Sequence, residues 1–503
     1  MAKKLSHLIK SLKVKEILQF EDHSISGLAY DSRKTGPGFV FFALPGLHTD
    51  GHDFIKKAAE AGARAVVFDG NPGTLLPGIA YIKVADSRTA MAPLAASFYD
   101  YPSGKLAVSG VTGTDGKSTT VYLIHQLLEL AGYKSGFFST VHFKTEGDVM
   151  KNTFRQSTPE ALEVQEVLYR MVLSGKTHAV LEATSHGLSE RTGRLAEVDF
   201  RAGVFTNLSH EHLEFHGTFE RYMYDKANLF RRLSGLGVIT LDDPSSGYFR
   251  KAAAEENPSS PPVYGFSLTD AGADLQALGI EESASSIGFS LRMGKKTLPA
   301  VINLPGLFNV ENTLAALLCV MKLTGVKAAD IVPLLPQLKP VPGRMQVISM
   351  GQPFTVIVDY AHTPGAFQKL FPLVRGQCPA RLIAVFGSAG ERDIDKRPIQ
   401  GNIASHYADI IVLADEDPRG EEPMTILREI AAGCPDKVRN GSVLMVPDRR
   451  KAIGEALGRA RPGDVVLLLG KGHEGSIVYR EGPIPWDEAE TAAGALRELG
   501  YSG

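Results

Sequence analysis

The stretch that decides the fold is Val108-Ser-Gly-Val-Thr-Gly-Thr-Asp-Gly-Lys-Ser-Thr-Thr120. It begins inside an apolar run, Leu106 to Val111, that predicts a strand. It precedes a segment, Val121 to Ala131, whose apolar residues recur at helical spacing. The order strand, glycine-rich loop, helix is typical of a phosphate site, because the first backbone N–H groups of a helix have no partner within it.

The end of this loop carries the groups that a nucleotide site needs. Lys117 supplies a positive charge for phosphate, and the hydroxyl of Ser118 can reach a Mg²⁺ ion. The usual loop has its first glycine five positions before the Gly-Lys pair, where this chain has Val111, so the loop is a variant. A glycine-rich turn that binds nothing is the alternative.

Length and composition limit the kinds of protein that this chain can be. A chain of 503 residues with 44% hydrophobic and 22% charged residues predicts two to four domains with well-filled cores. The formal net charge of -2 gives no electrostatic reason to expect nucleic acid. We expect no membrane partner and a cytoplasmic monomer, because the sequence shows neither a signal peptide nor an apolar run of about 20 residues. Three widely spaced cysteines fit a reducing compartment.

The residues up to Pro102 predict a small first α/β domain. Strands are predicted over Phe39 to Leu44 and Ala65 to Phe68, and helices over Asp53 to Ala61 and Ser87 to Tyr99. The cluster Asp31-Ser-Arg33 follows an apolar run and could hold a phosphate or ribose. From the residues alone, an ordinary turn with a surface ion pair explains it better.

A second domain is predicted from 103 to 339, with polar clusters at its strand ends. Glu182 follows one apolar run, and His212 and His216 follow the next. Since ligands of open parallel sheets bind beyond the carboxyl ends of the strands, these groups could complete a Mg²⁺ site beside the loop. A structural, hydrogen-bonded role for His216 remains open.

Lys226 is the least expected residue of this domain. It lies within the apolar stripe of a helix predicted over Phe219 to Leu233. A lysine on a buried face is costly unless it is paired or chemically altered. Either its stem reaches the edge of the core or its amine takes part in chemistry, and the first is the commoner outcome.

A third domain is predicted from 340 to 503, after a proline-rich link. Asn309 and Asn312, in the second domain, lie at a predicted helix start and could cap it or face a base. Beyond the link, four apolar runs each end in polar residues. Parallel strands bring such ends to one edge, and the mixture of carboxylates and arginines suits a zwitterion such as an amino acid.

Taken together, these motifs resemble the Mur ligases, and most closely those of the MurE type, which add the third peptide residue to a muramoyl dipeptide. The motifs that carry the resemblance are Asp31-Ser-Arg33, Gly113-Thr-Asp-Gly-Lys-Ser118, Ser157-Thr-Pro159, Glu182-Ala-Thr-Ser-His-Gly-Leu188, Thr206-Asn-Leu208, His212, His216, Asn309 to Asn312, Gly343-Arg-Met345, Asp359-Tyr-Ala-His-Thr-Pro364, Arg392-Asp393, Lys396-Arg-Pro398, Glu416-Asp-Pro-Arg419 and Gly470-Lys-Gly-His-Glu474.

The resemblance implies three α/β domains: a UDP-sugar-binding domain (1–102), a P-loop ATPase-like domain (103–339) and a Rossmann-like amino-acid domain (340–503). It implies ATP contacts from Gly113, Thr114, Asp115, Gly116, Lys117, Ser118, Thr119, Asn309, Asn312 and Arg344. It implies that the sugar-nucleotide peptide is bound by Asp31, Ser32, Arg33, Ser157, Thr158, Ser185 and Arg194. It implies that the amino acid is bound by Arg392, Glu416, Asp417, Pro418, Arg419, Gly470 and Glu474.

The resemblance further implies that Lys226 is carbamylated and holds Mg²⁺ together with Ser118, Glu182 and His212. Lys117, Lys226, His212 and Glu182 are the implied catalytic residues. A carbamate would turn a buried cation into an anionic metal ligand, which favours the chemical role of Lys226.

The sequence also departs from the family pattern. Asp115 stands where asparagine is common, Gln346 replaces a common glutamate, and Arg191-Thr192 looks like an insertion before Gly193-Arg194. Glu416-Asp-Pro-Arg419 is similar to the Asp-Asn-Pro-Arg of enzymes that add meso-diaminopimelate. Its arginine suits a distal carboxylate, whereas its additional aspartate suits a distal ammonium.

The implied activity is an ATP-dependent amide ligase that adds a diamino acid to UDP-MurNAc-L-Ala-D-Glu, in peptidoglycan precursor synthesis, through an acyl phosphate. Meso-diaminopimelate is the first candidate, and L-lysine and L-ornithine are the others. The alternatives are a D-Ala-D-Ala-adding Mur ligase, a folylpolyglutamate synthase, or a P-loop protein without enzymatic activity.

Overall fold

A computed structural model describes residues 2–46, 49–152, 154, 156–209, 213–283 and 286–502. The chain divides into two compact units, Met1–Leu338 and Lys339–Gly503. Each unit consists of largely parallel sheets with helices between the strands, so the predicted α/β class is confirmed. The boundary predicted between 102 and 103 falls inside the first unit and stays a prediction.

The first unit begins with a five-stranded sheet, in which only the edge strand Glu16–Leu18 is antiparallel to its neighbour. Its strands lie in the order Glu16–Leu18, Ala80–Lys83, Ala65–Phe68, Phe39–Phe42, Gly27–Ala29. The main helices are Ile55–Glu60 and Met91–Phe98. Two of the five strands were predicted, and these two are fully or largely buried, as an apolar run leads one to expect.

The rest of the first unit is built on an eleven-stranded sheet. Its strands lie in the order Met150–Lys151, His142–Lys144, Ser135–Phe138, His178–Glu182, Ala107–Thr112, Phe200–Phe205, Leu233–Thr240, Val263–Ser267, Leu275–Glu282, Ile287–Met293, Lys296–Ile302. All pairs from Ser135–Phe138 to Leu275–Glu282 are parallel, and antiparallel strands extend both edges. The residues from about Pro244 to Thr297, whose weak alternation of apolar residues predicts an accessory hairpin region, instead continue the main sheet.

The strand that leads into the glycine loop, Ala107–Thr112, lies between two other strands that carry predicted site residues. Val111 pairs with Glu182 on one side, and Thr112 pairs with Phe205 on the other. Because the three strands are parallel and in this register, their carboxyl ends finish at the same level. The loops that follow them therefore lie side by side at one edge of the sheet.

Two long helices cover this part of the sheet. The helix that follows the glycine loop, Lys117–Leu130, packs against Leu307–Thr324. The latter is the one described helix that is long and apolar enough to span a membrane by length and composition, and most of it is buried in the unit. Since it starts after Gly306, Asn309 and Asn312 lie inside it, and the capping role considered for them is wrong.

The second unit contains a six-stranded sheet with five parallel strands. Its strands lie in the order Gln346–Ile348, Thr355–Asp359, Val465–Leu469, Leu382–Phe386, Ile410–Leu413, Val443–Met445, and the first is antiparallel to the second. The four apolar runs predicted as strands are present as Thr355–Asp359, Leu382–Phe386, Ile410–Leu413 and Val465–Leu469. Val443–Met445 was missed because it is a short, half-buried edge strand.

The remaining helices pack around the sheets, and short hairpins and turns complete the chain. In the first unit they are Leu5–Leu8, Ala161–Leu173, Ser185–Leu188, Leu213–His216, Phe219–Arg231, Ser246–Ala254 and Ala328–Ile331. In the second they are Pro364–Gly376, Lys396–Tyr407, Pro423–Ala431, Pro435–Arg439, Arg449–Arg459 and Glu488–Glu498. The small antiparallel pairs are Lys3–Lys4 with Ser24–Ile25 and Ser476–Tyr479 with Gly482–Pro485.

Candidate active site

The glycine loop has room only for glycine at two of its positions. Gly116 has a φ of 80°, and a Cβ there would lie 2.3 Å from Oδ1 of Asn312. A Cβ on Gly113 would lie 1.9 Å from Oγ1 of Thr206. Both distances are far below van der Waals contact, so the tight path of the loop depends on these glycines.

The chain after the neighbouring strand Phe200–Phe205 holds the loop in place. The backbone N–H of Thr114 donates to the Asn207 carbonyl oxygen at 2.8 Å, and that of Asp115 donates to Asn207 Oδ1 at 2.9 Å. Thr206 Oγ1 donates to the Asp115 carbonyl oxygen at 2.7 Å. The last two bonds use backbone atoms of Asp115, and its side chain is exposed, which explains why aspartate fits where asparagine is common.

Lys117 and Ser118 start the helix after the loop, as predicted. Lys117 Nζ donates to the Thr114 carbonyl oxygen at 2.7 Å, so the ammonium lies over the loop. Ser118 Oγ donates to Glu182 Oε2 at 2.7 Å. The hydroxyl and the carboxylate thus lie together at the strand ends, and Glu182 is almost fully buried.

Thr140 completes the surroundings of Glu182. Its hydroxyl donates to Glu182 Oε1 at 2.8 Å, and its backbone N–H donates to Oε2 at 2.9 Å. A carboxylate and two hydroxyls are oxygen donors of the kind that Mg²⁺ prefers, so the residues present fit this ion. Among the described residues no three His, Cys, Asp or Glu side chains form a metal cluster, and His212 lies outside those residues.

Lys226 lies on the buried face of the helix Phe219–Arg231, at the underside of the loop. Its Nζ donates to the Gly113 carbonyl oxygen at 2.6 Å and lies 4.5 Å from the centre of the Tyr222 ring. The residue is 1% exposed. The stem therefore does not carry the amine to solvent, and the alternative that it reaches the edge of the core is not what the structure shows.

His216 lies between two polar side chains. Its Nδ1 is 2.9 Å from Asp225 Oδ2, and its Nε2 is 3.0 Å from Ser185 Oγ. All three side chains are buried. Both ring nitrogens are thus within hydrogen-bond distance of protein atoms, which favours the structural role considered for His216 over a role as a metal ligand.

The predicted peptide contacts fall into two groups. Thr158 joins the strand-end site, since its hydroxyl donates to the Glu182 carbonyl oxygen at 3.0 Å, and the half-buried Ser157 precedes it. Arg194 is buried, and its guanidinium donates to the Thr158 carbonyl oxygen at 3.1 Å and to Glu160 Oε1 at 3.0 Å. Arg194 therefore borders the site but is held by protein partners.

Asp31, Ser32 and Arg33 form a turn after the strand Gly27–Ala29. Asp31 accepts a hydrogen bond from the backbone N–H of Arg33 and pairs with its guanidinium at 2.7 Å. Hydrogen bonding to Arg33 lowers the pKa of Asp31 to about 2. The geometry is that of a turn with a surface ion pair, and substrate binding by these residues stays a prediction.

The two asparagines of the helix Leu307–Thr324 differ in position. Asn312 lies against the loop, because its Oδ1 accepts from Thr120 Oγ1 at 3.2 Å and lies next to Gly116. Asn309 Nδ2 donates to the Pro305 carbonyl oxygen at 2.6 Å. Thr119 is half-buried at the helix start. The structure therefore brings Asn312 to the loop but turns the amide of Asn309 toward its own chain.

In the second unit, predicted amino-acid contacts meet at the ends of Ile410–Leu413 and Val465–Leu469. Asp417 Oδ1 accepts from Lys471 Nζ at 2.7 Å, and the same ammonium lies 2.5 Å from Glu474 Oε2. Lys471 is fully buried. Burial raises the pKa of Glu474 above its ordinary value, although Lys471 opposes the shift.

Glu416 and Arg419 complete this cluster. Glu416 is 6% exposed, and its Oε2 has no hydrogen-bond partner among the described residues. Gly470, with a φ of 97°, approaches so closely that a Cβ would lie 3.0 Å from this oxygen. Arg419 Nη2 lies 3.8 Å from Asp417 Oδ2, and the buried Pro418 joins the two residues. A buried, unpartnered carboxylate oxygen suits a positively charged ligand.

Two other predicted contacts of this unit lie apart from the cluster. Arg392 is exposed in the loop before the helix Lys396–Tyr407, and its side chain makes no hydrogen bond or ion pair described for this part of the chain. The guanidinium of Arg344 lies 4.8 Å from the centre of the Tyr360 ring. The ATP contact implied for Arg344 stays a prediction.

Three family models match consecutive parts of the chain. The "Mur ligase family, catalytic domain" matches residues 24–99, the "Mur ligase middle domain" 111–320, and the "Mur ligase, glutamate ligase domain" 343–472. A UDP-N-acetylmuramyl-tripeptide synthetase of Borreliella afzelii is 46% identical and covers 99% of both chains. The chain belongs to the Mur ligase family.

Other relatives agree with this placement. A UDP-N-acetylmuramoyl-L-alanyl-D-glutamate 2,6-diaminopimelate ligase of Geobacillus thermodenitrificans is 38% identical over 94% of this Mur ligase and 95% of its own chain. A solved diaminopimelate ligase of this kind superposes with a TM-score of 0.68 at 30% identity and covers 99% of both chains. MurF from Acinetobacter baumannii shares the fold, with a TM-score of 0.68 at 20% identity.

Sequence reasoning missed three residues that hold predicted site residues of this Mur ligase in place, two in the first unit and one in the second. Thr140 binds Glu182, Lys471 neutralises Asp417, and Asp225 binds His216. Lys471 stands within a quoted motif and Asp225 directly precedes Lys226, whereas Thr140 follows a strand, Ser135–Phe138, that was not predicted. The available signal was therefore position beside a strand end or on a shared helix face, not residue type.

Proposed function

We infer that this ligase joins an amino group of a diamino acid to a free carboxylate of the D-Glu residue of UDP-MurNAc-L-Ala-D-Glu and converts ATP to ADP and phosphate. The observation that carries the proposal is the meeting of the glycine loop, Glu182 and buried Lys226 at one edge of the parallel sheet. Relatives named tripeptide synthetases over the full chain support the choice of substrate. The site belongs in the cytoplasm, where these precursors and ATP would meet.

ATP binding is assigned to the loop residues Gly113 to Thr119. The positive φ of Gly116 and the start of the helix at Lys117 direct backbone N–H groups toward an anion, and the Lys117 ammonium adds a charge. Asn312 borders the same loop. Mg²⁺ would be held by Ser118, Glu182, His212 and carbamylated Lys226, and it would supply neutralisation of phosphate charge.

The proposed reaction has two steps. A carboxylate oxygen of the peptide attacks the γ-phosphorus of ATP, the bond from that phosphorus to the β-bridging oxygen breaks, and ADP leaves. The amine nitrogen then attacks the acyl carbon, the carbon–oxygen bond breaks, and phosphate leaves as the nitrogen loses its proton to solvent. Lys117 stabilises the charge that develops on the transferred phosphoryl group.

The cluster in the second unit is assigned to the amino acid. Meso-diaminopimelate, whose far end carries an ammonium and a carboxylate, would place the ammonium at Glu416 and the carboxylate at Arg419. Lys471 already neutralises Asp417, which supports this assignment because Asp417 then repels a carboxylate less.

L-Lysine and L-ornithine are the second candidates, and the charge balance of the cluster favours them. Glu416, Asp417 and Glu474 carry three negative charges, against two positive charges on Arg419 and Lys471. A cluster with one net negative charge attracts an amino acid whose side chain ends in an ammonium alone. Arg419 would then stay paired with Asp417.

The test is phosphate release by the purified chain with ATP, Mg²⁺ and UDP-MurNAc-L-Ala-D-Glu, with each of the three diamino acids in turn. We expect release that needs both the sugar-nucleotide peptide and one diamino acid, and its loss in Lys117→Met. Turnover with a D-Ala-D-Ala dipeptide or with a folate and glutamate instead would establish one of the related ligases. Release without any acceptor would establish a plain nucleotidase.

A further inference from the structure

Ser185, His216 and Asp225 form a continuous chain of hydrogen-bond partners in the first unit. Ser185 Oγ lies 3.0 Å from Nε2 of the imidazole, and Nδ1 lies 2.9 Å from Asp225 Oδ2. The side chains of His216 and Asp225 are 0% and 1% exposed. Three polar groups aligned in this way are costly to bury unless each hydrogen bond is made.

The order of the groups fixes the direction of the hydrogen bonds. Arg221 Nη2 lies 3.1 Å from Asp225 Oδ1, so the carboxylate of Asp225 lies between a guanidinium and the imidazole of His216. A carboxylate only accepts, so it holds the imidazole proton on Nδ1 of His216 and leaves a lone pair on Nε2. Ser185 must then donate its hydroxyl proton to Nε2, and the oxygen of Ser185 can only accept from any other group.

Ser185 also stands where a peptide substrate would arrive. It begins the short helix Ser185–Leu188, three residues after Glu182 at the strand end. Thr184, the residue before it, lies 2.9 Å from the hydroxyl of Thr158, which in turn binds the Glu182 backbone. Ser185 thus lies at the same strand end as the residues proposed to bind the nucleotide and the metal.

We propose that His216 and Asp225 are positioning residues that make the Ser185 hydroxyl oxygen an obligatory acceptor for a peptide N–H of the sugar-nucleotide substrate. The proposal rests on the proposed function, because it assigns a donor on that substrate. It gives His216 a role through Ser185 rather than on a metal ion. It also explains why Asp225, beside Lys226, is buried.

The test is a double-mutant cycle between the two ends of the chain. Ser185→Ala removes the acceptor, and Asp225→Asn lets the imidazole take the other tautomer, so that Nε2 donates to the serine. We expect each single change to raise the KM for UDP-MurNAc-L-Ala-D-Glu about tenfold, as for the loss of one buried hydrogen bond. The double variant should have the same KM as Ser185→Ala, since the tautomer no longer matters.

Several controls separate positioning from folding. The KM for ATP should change less than about twofold in each variant. Glu220→Gln removes an exposed carboxylate from the same helix and should leave both constants unchanged. His216→Gln, which can still present an acceptor to Ser185, should retain more activity than His216→Leu.

If the effects of Ser185→Ala and Asp225→Asn multiply, the KM for the sugar nucleotide will be about a hundredfold higher in the double variant. This result would overturn the proposal, because the two residues would then act independently. Equal losses for ATP and for the sugar nucleotide would also overturn it and leave a purely structural chain. Failure of the wild-type protein to use the sugar nucleotide at all would instead overturn the proposed function.

Discussion

The ammonium of Lys226 lies 2.6 Å from the carbonyl oxygen of Gly113. The helix that carries the lysine and the glycine loop are thus joined by a buried hydrogen bond. Thr218 caps this helix by accepting from the backbone N–H of Arg221, so its start is fixed in the sequence. The amine is therefore held at the loop by local structure as well as by its own hydrogen bond.

If Lys226 is carbamylated, its function needs the negatively charged carbamate rather than the positively charged ammonium. We expect Lys226→Arg, which keeps a positive charge but forms no carbamate, to reduce kcat at least a hundredfold, roughly the value of a lost metal ligand. Lys226→Ala should be equally inactive, and Lys226→Glu should recover part of the activity. The measurement is steady-state phosphate release at saturating ATP.

A spectroscopic readout accompanies these kinetics. Protein equilibrated with ¹³C-bicarbonate should show a carbamate carbon resonance that is missing in Lys226→Arg and disappears on acidification. Full activity of the arginine variant, or a wild-type spectrum without that resonance, would show that the lysine acts as a cation.

Gly116→Ala should impair nucleotide binding more than it impairs folding. The new Cβ would lie 2.3 Å from Asn312 Oδ1, and a left-handed conformation costs a residue other than glycine about 1 kcal/mol. We expect the KM for ATP to rise at least about tenfold, because the loop must move away from Asn312.

Gly132→Ala is the matched control for that variant. Gly132 has a φ of 88° just beyond the end of the same helix, and a Cβ there would meet nothing within 4 Å. The Gly132→Ala substitution imposes a similar backbone strain without a collision with another residue. It should therefore lower Tm slightly and leave the KM for ATP unchanged. An equal rise in KM in both variants would mean that strain, and not the contact with Asn312, causes the loss.

Asp417→Asn should shift the choice of amino acid toward meso-diaminopimelate. The change removes a negative charge 3.8 Å from Arg419, which frees the guanidinium for a distal carboxylate. We expect the ratio of kcat/KM for diaminopimelate to that for lysine to rise about tenfold or more, measured by competition between the two.

Lys471→Met tests the opposite change in charge at the same cluster. Without the buried ammonium, the carboxylates of Asp417 and Glu474 lose their common partner. The ratio of kcat/KM for diaminopimelate to that for lysine should therefore fall, and the stability of the protein should decrease. A ratio that stays constant in both variants would show that these charges do not select the amino acid.

The glycine loop, the strands around it and the position of Lys226 were predictable because their signals are local. An apolar run, two necessary glycines and a lysine in an apolar stripe each occupy a few consecutive residues or one helix face. The four C-terminal strands were found for the same reason, since buried parallel strands are continuous apolar runs.

What the sequence did not reveal depends on residues far apart in the chain. Thr140 meets Glu182 across 42 positions, and Lys471 meets Asp417 across 54. Only the packing of strand ends brings these pairs together. The asparagines of Leu307–Thr324 were misplaced at a helix start because Gly306, without a side-chain cap, begins the helix earlier than the apolar pattern does.

Asp415→Asn should raise stability at neutral pH. Burial raises the pKa of Asp415 from 3.8 to about 6, although the Tyr479 hydroxyl donates to its Oδ2 at 3.1 Å. Between these two values the unfolded chain has lost the proton while the folded chain keeps it. Wild-type stability therefore falls as the pH rises through this window, and the loss persists above it.

An asparagine at this position has no proton to lose and can still accept from Tyr479. The difference in Tm between variant and wild type should therefore move in favour of the variant as the pH rises from about 4 to about 7, by differential scanning calorimetry. Asp464→Asn should show the opposite trend at lower pH, because wild-type stability rises as the pH rises through the window just below the ordinary aspartate pKa of 3.8. Burial raises the pKa of Asp464, but hydrogen bonds from Arg381 outweigh burial, and the pKa lies below its ordinary value. If the Tm difference between Asp415→Asn and wild type does not change with pH, the Asp415 carboxyl has the same pKa in the folded and the unfolded chain.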